Sequence, residues 1–239
     1  MDMRTPTFDS NRSCQNCALK GNGYLCHLTS AAASEFDSIK YLSLFPGGAV
    51  LFQESEAARG IFLLCSGQVK LSVSSREGKT LTLRLAKPGE ILGLTATMSG
   101  SPYEASAETI HPCQVTFVRR QDFMNFINKY PEVYQAVIQQ LNTQYRYACD
   151  QLRTMGLSPT AHGKLARLLL QWSAEGRETS EGTQIKVPLT HEQIAECVGS
   201  TRETVSRTLS EFKHQHLVIL KGATIMIPSR AALEAICGA

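Results

Sequence analysis

The spacing of apolar residues changes once along this chain, and that change constrains the fold more than any other feature. Between Leu42 and Phe117 apolar side chains recur at every second position: Ile61 and Leu63; Val69, Leu71 and Val73; Leu81, Leu83 and Leu85; Val115 and Phe117. Turn residues separate these runs at Pro46-Gly47-Gly48, Ser66-Gly67, Glu77-Gly78, Pro88-Gly89-Glu90 and Ser99-Gly100-Ser101-Pro102. Period two buries one face of a strand, and short strands so closely punctuated predict an antiparallel barrel or roll. After Arg120 the interval lengthens to three and four, the period of a helix. The fold class is therefore α+β.

The first long helical stretch opens at Pro131, where a first turn tolerates proline. Val133, Val137, Leu141, Tyr145, Ala148, Leu152 and Met155 then form one stripe whose later intervals alternate four and three, the pattern of a coiled-coil seam. The stripe could pack on the chain's own roll or on a second copy. Its length of about six turns favours a homodimer. Gly156 and Ser158-Pro159-Thr160 break the pattern and mark a hinge. A further helix over Ala161 to Trp172 and a short strand over Gln184 to Val187 follow. The expected division is a Cys-rich segment at 1–29, a β-roll at 30–127, a dimerisation helix at 128–156 and a DNA-binding domain at 157–239.

Composition narrows the function classes. The chain has 239 residues, a net charge of +3 and 43% hydrophobic residues, the profile of an ordinary globular protein. From Leu157 onward nine Lys and Arg face eight Asp and Glu, so any DNA contact there must come from placement, not bulk charge. No apolar run approaches the roughly 18 residues that span a bilayer, and residues 1–29 lack the pattern of a secretory leader. A cytoplasmic protein without membrane partners is expected. In that compartment eight cysteines do not read as a disulfide framework.

The segment from Thr190 to Leu209 carries the strongest functional signal. Thr190 can cap a short helix that ends at Gly199, and Ser200 or Thr201 can cap the next. Ile194, Ala195, Val198, Val205 and Leu209 are expected to face inward. Two short helices joined at a glycine turn make a helix-turn-helix. On the second helix Arg207 offers a planar fork to guanine O6 and N7, Glu203 can accept from a cytosine amino group, and Ser206 can bond a base edge or a phosphate. Leu217 to Leu220 and Thr224 to Ile227 flank Lys221-Gly222, which predicts a hairpin wing.

The stretch THEQIAECVGSTRETVSRTLSEFKHQHLV resembles the helix-turn-helix of Crp/Fnr regulators, and the likeness extends back over the long helix and the roll. The resemblance implies an N-terminal roll like that of cyclic-nucleotide-binding domains, a dimer helix and a C-terminal winged helix-turn-helix. It also implies a palindromic double-stranded DNA operator and RNA polymerase as a protein partner. Glu203, Ser206 and Arg207 match the Fnr-type reading trio and a TTGAT-like half-site. Arg202, Glu203 and Arg207 match the Crp-type trio and a TGTGA-like half-site. Thr190 and His191 fall where the family contacts phosphate, with His191 in place of a more usual Arg, and Thr201 stands at the start of the recognition helix.

The same resemblance bears on the signal. Cyclic-nucleotide binders hold the ribose with a Gly-Glu pair and the phosphate with an Arg-Ser pair. The matching stretches here are Gly93-Leu94 and Tyr103-Glu104-Ala105. The ribose carboxylate is missing and an acid sits near the phosphate position, so cyclic AMP is disfavoured. Cys14 and Cys17, with two residues between them, can grip one metal centre, and Cys26 follows after eight more residues. Cys113, in HPCQVTFV, aligns with the fourth ligand of Fnr, which implies an oxygen-labile [4Fe-4S] cluster on Cys14, Cys17, Cys26 and Cys113. The longer gap before Cys26 departs from Fnr. Zinc on the same thiols with His27, or redox-active thiols, remain open. Cys65, Cys149, Cys197 and Cys237 read as structural or incidental. The expected mechanism is a cluster that favours the dimer and is lost to oxygen or nitric oxide. Only His111 among six histidines falls in the roll, and no catalytic triad or phosphate loop is evident, so an enzyme is not expected.

Overall fold

The computed structural model describes residues 13–14, 23–158, 160–174 and 176–237. They fall into two compact units. One comprises 1–73 and 84–146, the other 74–83 and 147–239. The 27-residue helix α4 (Pro131–Leu157) contributes to both.

The first unit opens with α1 (Ser30–Ile39), capped by the Thr29 hydroxyl, which accepts from the Ala32 amide. The strands are β1 (Lys40–Phe45), β2 (Val50–Phe52), β3 (Gly60–Ser66), β4 (Val69–Ser74), β5 (Thr80–Ala86, of which Arg84–Ala86 fall in this unit), β6 (Ile91–Leu92), β7 (Ser106–Thr109) and β8 (Cys113–Arg119), with α2 (Leu94–Ser99) after β6. They form two four-stranded sheets, ordered β1-β8-β3-β6 and β2-β7-β4-β5. This is the roll that the period-two pattern predicts. Between the sheets lie Phe52, Leu64, Val69, Leu92, Ala107, Cys113 and Val115.

The other face of the first sheet carries a second core. There Ile61, Leu63 and Val118 meet Phe36 of α1, Phe123, Phe126 and Ile127 of α3 (Arg120–Lys129), and Val133 and Val137 of α4. Opposite faces follow from strand geometry, since neighbouring side chains point to opposite sides. The Gln140 side chain pins α4 to this sheet, donating to the Ile91 carbonyl at 2.5 Å and accepting from its amide at 2.9 Å. The predicted helical stretch breaks at Tyr130, whose extended conformation suits a residue before proline.

The second unit comprises α5 (Ala161–Ser173), β9 (Arg177–Thr179), β10 (Gly182–Lys186), α6 (His191–Val198), α7 (Arg202–His214), β11 (Ile219–Lys221), β12 (Thr224–Ile227) and α8 (Arg230–Cys237). Its sheet runs β11-β12-β10-β9, and β11 with β12 makes the predicted wing. Ile194, Ala195, Val198, Val205 and Leu209 all lie in one core with Leu165, Leu169 and Phe212. The expected strand over Gln184 to Val187 is β10, shifted by one to two residues, and α5 runs one residue beyond Trp172.

The predicted seam on α4 divides in use. Val133 and Val137 are fully buried against the chain's own roll, and Leu141 packs partly on it. Val133 and Val137 therefore belong to the intramolecular core, which corrects their assignment to the dimer stripe. Tyr145 (71% exposed), Leu152 (73%) and Ile138 (55%) remain open, seven residues apart. Ala148 is also exposed and Met155 half-buried. Ile138 is absent from the predicted stripe because Val137 beside it satisfies the same spacing.

Candidate nucleic-acid interface and sensor segment

The start of α6 is fixed by a reciprocal cap. The Thr190 hydroxyl accepts from the Gln193 amide at 3.2 Å, and the Gln193 side chain accepts from the Thr190 amide at 2.9 Å. The helix stops at Gly199, whose φ of 60° and ψ of 46° are left-handed, and its amide bonds back to the Ala195 carbonyl. Thr201 caps α7 by accepting from the Thr204 amide at 3.3 Å. Three local devices thus aim α7, and its outward face carries Arg202, Glu203 and Arg207, all exposed.

Each of these side chains stands in a distinct electrostatic setting. The Glu203 carboxylate is held below the usual range by its own backbone amide, by the Thr201 side chain and by nearby Arg202. It stays ionised and able to accept. Arg207 makes no hydrogen bond or ion pair among the described residues, so its five donors are available. Ser206 is not isolated: its hydroxyl meets His191 Nδ1 at 2.7 Å. When Ser206 donates in that pair, the neutral ring keeps its Nε2–H to donate elsewhere. The structure therefore joins α6 to α7 through His191 and Ser206, with Thr201 capping α7 and Arg202, Glu203 and Arg207 on its exposed face, while Thr190 caps α6. The His191–Ser206 link was not legible from spacing, because it joins residues on two helices.

In the roll, the positions that match a cyclic-nucleotide site are filled from within. Tyr103 is buried, stacks on Phe52 at 4.0 Å between ring centroids, and donates to the Gly60 carbonyl at 2.8 Å. Burial pushes its phenol pKa up. Gly93 has φ +68°, and a side chain there would meet the Tyr103 ring at 2.6 Å. Leu94 is buried, and Glu104 is exposed.

Of the N-terminal thiols, Cys14 sits on the helix-bearing face of the first sheet. Cys14 and Tyr24 pack against the core that contains Leu25, Ile61 and Leu63. The Cys14 sulfur accepts from Lys40 Nζ at 3.4 Å, and its amide donates to Asp37 at 3.0 Å. Burial pushes the Cys14 thiol up to about 12, with Lys40 opposing and Asp37 adding to the shift. Cys26 is half-buried, and Cys17 lies outside the described residues. Cys113, by contrast, points between the two sheets, where its thiol donates to the carbonyls of His111 (3.1 Å) and Gln68 (3.4 Å). Among the described residues no three Cys, His, Asp or Glu side chains converge at metal-binding range. Cys14 packs on the helix side of the first sheet, and Cys113 does not share that face.

Comparison with known proteins fits this architecture. A family profile described as a Crp-like helix-turn-helix domain matches residues 163–236, and one described as a cyclic nucleotide-binding domain matches residues 43–130. The CRP-like cAMP-activated global transcriptional regulator of Mycobacterium tuberculosis is 29% identical over 185 residues, covering 77% of this chain and 82% of its own. The transcriptional activatory protein AadR of Rhodopseudomonas palustris is 26% identical over 229 residues, 95% of this chain and 94% of its own. Among solved structures, FixK2 from Bradyrhizobium japonicum superposes with a TM-score of 0.73 at 22% identity. It covers 84% of this chain and 98% of that one. No described helix is long and apolar enough to cross a membrane.

Proposed function

The chain belongs to the Crp/Fnr family of DNA-binding transcription regulators, and on that premise we propose that it senses oxygen or nitric oxide through thiolates of its N-terminal segment. The observation that carries this reading is the seating of Cys14, half-buried, against the helix-side core of the roll, with Cys17 and Cys26 following it in sequence and Cys26 also half-buried. When bound, a 4Fe-4S cluster supplies an iron centre that oxygen and nitric oxide can attack. The chain's own residues do the rest. Cys14, Cys17 and Cys26 would anchor the tail to the roll. Ile138, Tyr145, Ala148, Leu152 and Met155 would pair α4 with a second copy, and two α7 helices would enter successive major-groove faces of a palindrome. Arg207 and Glu203 would read bases, Ser206 or Arg202 would choose between TTGAT-like and TGTGA-like half-sites, and Thr190, His191 and Thr201 would meet phosphate. RNA polymerase would be the partner on the promoter.

Cyclic AMP is a poor ligand under this reading, although the Mycobacterium tuberculosis relative is described as cAMP-activated. A nucleotide would have to displace the Tyr103–Phe52 stack and place its phosphate near Glu104 without the usual cation. Iron and acid-labile sulfide per chain, with an absorption spectrum, on protein purified without oxygen test the proposal. About four of each, lost in air together with operator binding, is expected. Iron-free protein that binds its operator equally well in air would overturn it.

A further inference from the structure

We infer that His191 sets the hydrogen-bonding sense of Ser206, so that this hydroxyl reads an amino group in the major groove, adenine N6 or cytosine N4, and rejects a carbonyl. The inference rests on the reading of α7 as the base-reading helix.

Helix geometry carries the first step. Glu203, Ser206 and Arg207 lie at i, i+3 and i+4 on α7, which puts them on one face. Val205, Thr208, Leu209 and Phe212 are the buried residues of the same helix. Ser206 is half-buried where Arg207 is exposed, and its hydroxyl reaches α6. There it meets Nδ1 of His191, the first residue of α6, at 2.7 Å. Ser210, one turn further along α7, bonds the Ser206 carbonyl at 2.9 Å and leaves the hydroxyl to His191.

Counting protons carries the second step. A serine hydroxyl has one proton and two lone pairs, and a neutral imidazole has one N–H and one bare nitrogen. If Nδ1 accepts, the Ser206 proton is spent on the ring and Oγ offers the groove lone pairs only. If Nδ1 donates, that proton is free and Ser206 becomes a donor. The other ring nitrogen decides. His191 is exposed, and among the described residues its Nε2 has no partner. A DNA phosphate only accepts, so a neutral ring that meets one must carry its proton on Nε2. Nδ1 is then the acceptor and Ser206 donates to it. A phosphate contact at one end of the ring becomes a base preference at the other.

Groove chemistry carries the third step. The amino groups of adenine and cytosine are the N–H donors of the major groove, whereas thymine O4 and guanine O6 and N7 accept. An acceptor-only Oγ bonds the amino groups. Facing a carbonyl, it would oppose lone pair to lone pair, and both groups would lose water without a bond in return. The reading face of α7 thus presents two acceptors, Glu203 and Ser206, beside one donor fork, Arg207.

The test is selection from a duplex library with two randomised half-sites. The full-length chain is purified without oxygen and assayed at about pH 8, where free imidazole is neutral. Wild type should enrich adenine or cytosine about five- to tenfold at one position that Ser206→Ala no longer specifies. His191→Arg, which can only donate, should turn that position to thymine or guanine and leave the positions read by Arg207 and Glu203 as they are. His191→Asn, whose Oδ1 replaces the Nδ1 acceptor, should keep the wild-type choice. Thymine or guanine at that position in wild type, an unchanged choice in His191→Arg, or a loss spread over every half-site position overturns the inference. Wild type that enriches no palindrome would defeat the reading of α7 together with the inference.

Discussion

At Gly199 an added methyl group would have room, since its nearest neighbour is the Met155 sulfur at 3.7 Å. The cost of Gly199→Ala lies in the backbone, because φ of +60° places the β-carbon against the following carbonyl. The variant should unfold with a loss of about 1 kcal/mol, measured by denaturant titration, and Gly199→Asn should recover part of it. Arg207→Ala is the complementary case: exposed and unpaired among the described residues, it should leave stability unchanged. It should weaken operator binding by about 1–3 kcal/mol while hardly moving affinity for a scrambled duplex, read by titration at fixed salt. The residues behind both predictions were legible in the sequence, because caps and left-handed turns are decided within four or five positions. The placement of Cys113 was not: alternation gives it the parity of Val115, but parity cannot say which face of a sheet receives the N-terminal segment.

Elements were legible in proportion to their burial. Strands β3, β4, β5 and β8 and helices α5 to α7 announce themselves by their periods because each has one apolar face. The short edge strand β9, Arg-Glu-Thr, has almost no apolar content and gave no signal. Helix α1 passed unseen because its buried face is two alanines and Phe36 among serines and acids. Its Glu35 is bonded by Lys129 and by the Tyr130 hydroxyl at 2.8 Å, and these contacts hold its carboxyl below the usual range. A depressed folded pKa stabilises above the unfolded value, so this contribution is lost as pH falls through the folded value. Glu35→Gln should remove that part of the acid dependence, visible as a flatter stability–pH curve below the ordinary carboxylate pKa. Helix α4 separates two kinds of substitution. Val137→Ala should cost the roll about 2 kcal/mol without changing association. Ile138→Glu with Leu152→Glu should leave unfolding nearly unchanged and shift sedimentation to a monomer.

At the scale of the whole molecule, two mechanisms for the proposed signal make different predictions: it can change how many dimers exist, or what each dimer does. A cofactor that prefers the dimer raises the dimer fraction by mass action, and an operator that also prefers the dimer strengthens dimerisation in turn. If assembly alone carries the signal, air-exposed protein reaches half-occupancy at a higher concentration, yet attains the same full occupancy. Plotted against dimer concentration from sedimentation, the anisotropy curves of anaerobic and air-exposed protein should superpose. A gap that persists on that axis would place the signal in the presentation of α7. The open stripe of α4 favours superposition, because Ile138, Tyr145 and Leu152 bury little in one chain and, under the proposed pairing, would gain most of their burial in the dimer. Ile138→Glu supplies the control. It should move the curve along the protein-concentration axis, as air does, and fall back onto the common line once dimer concentration is the abscissa.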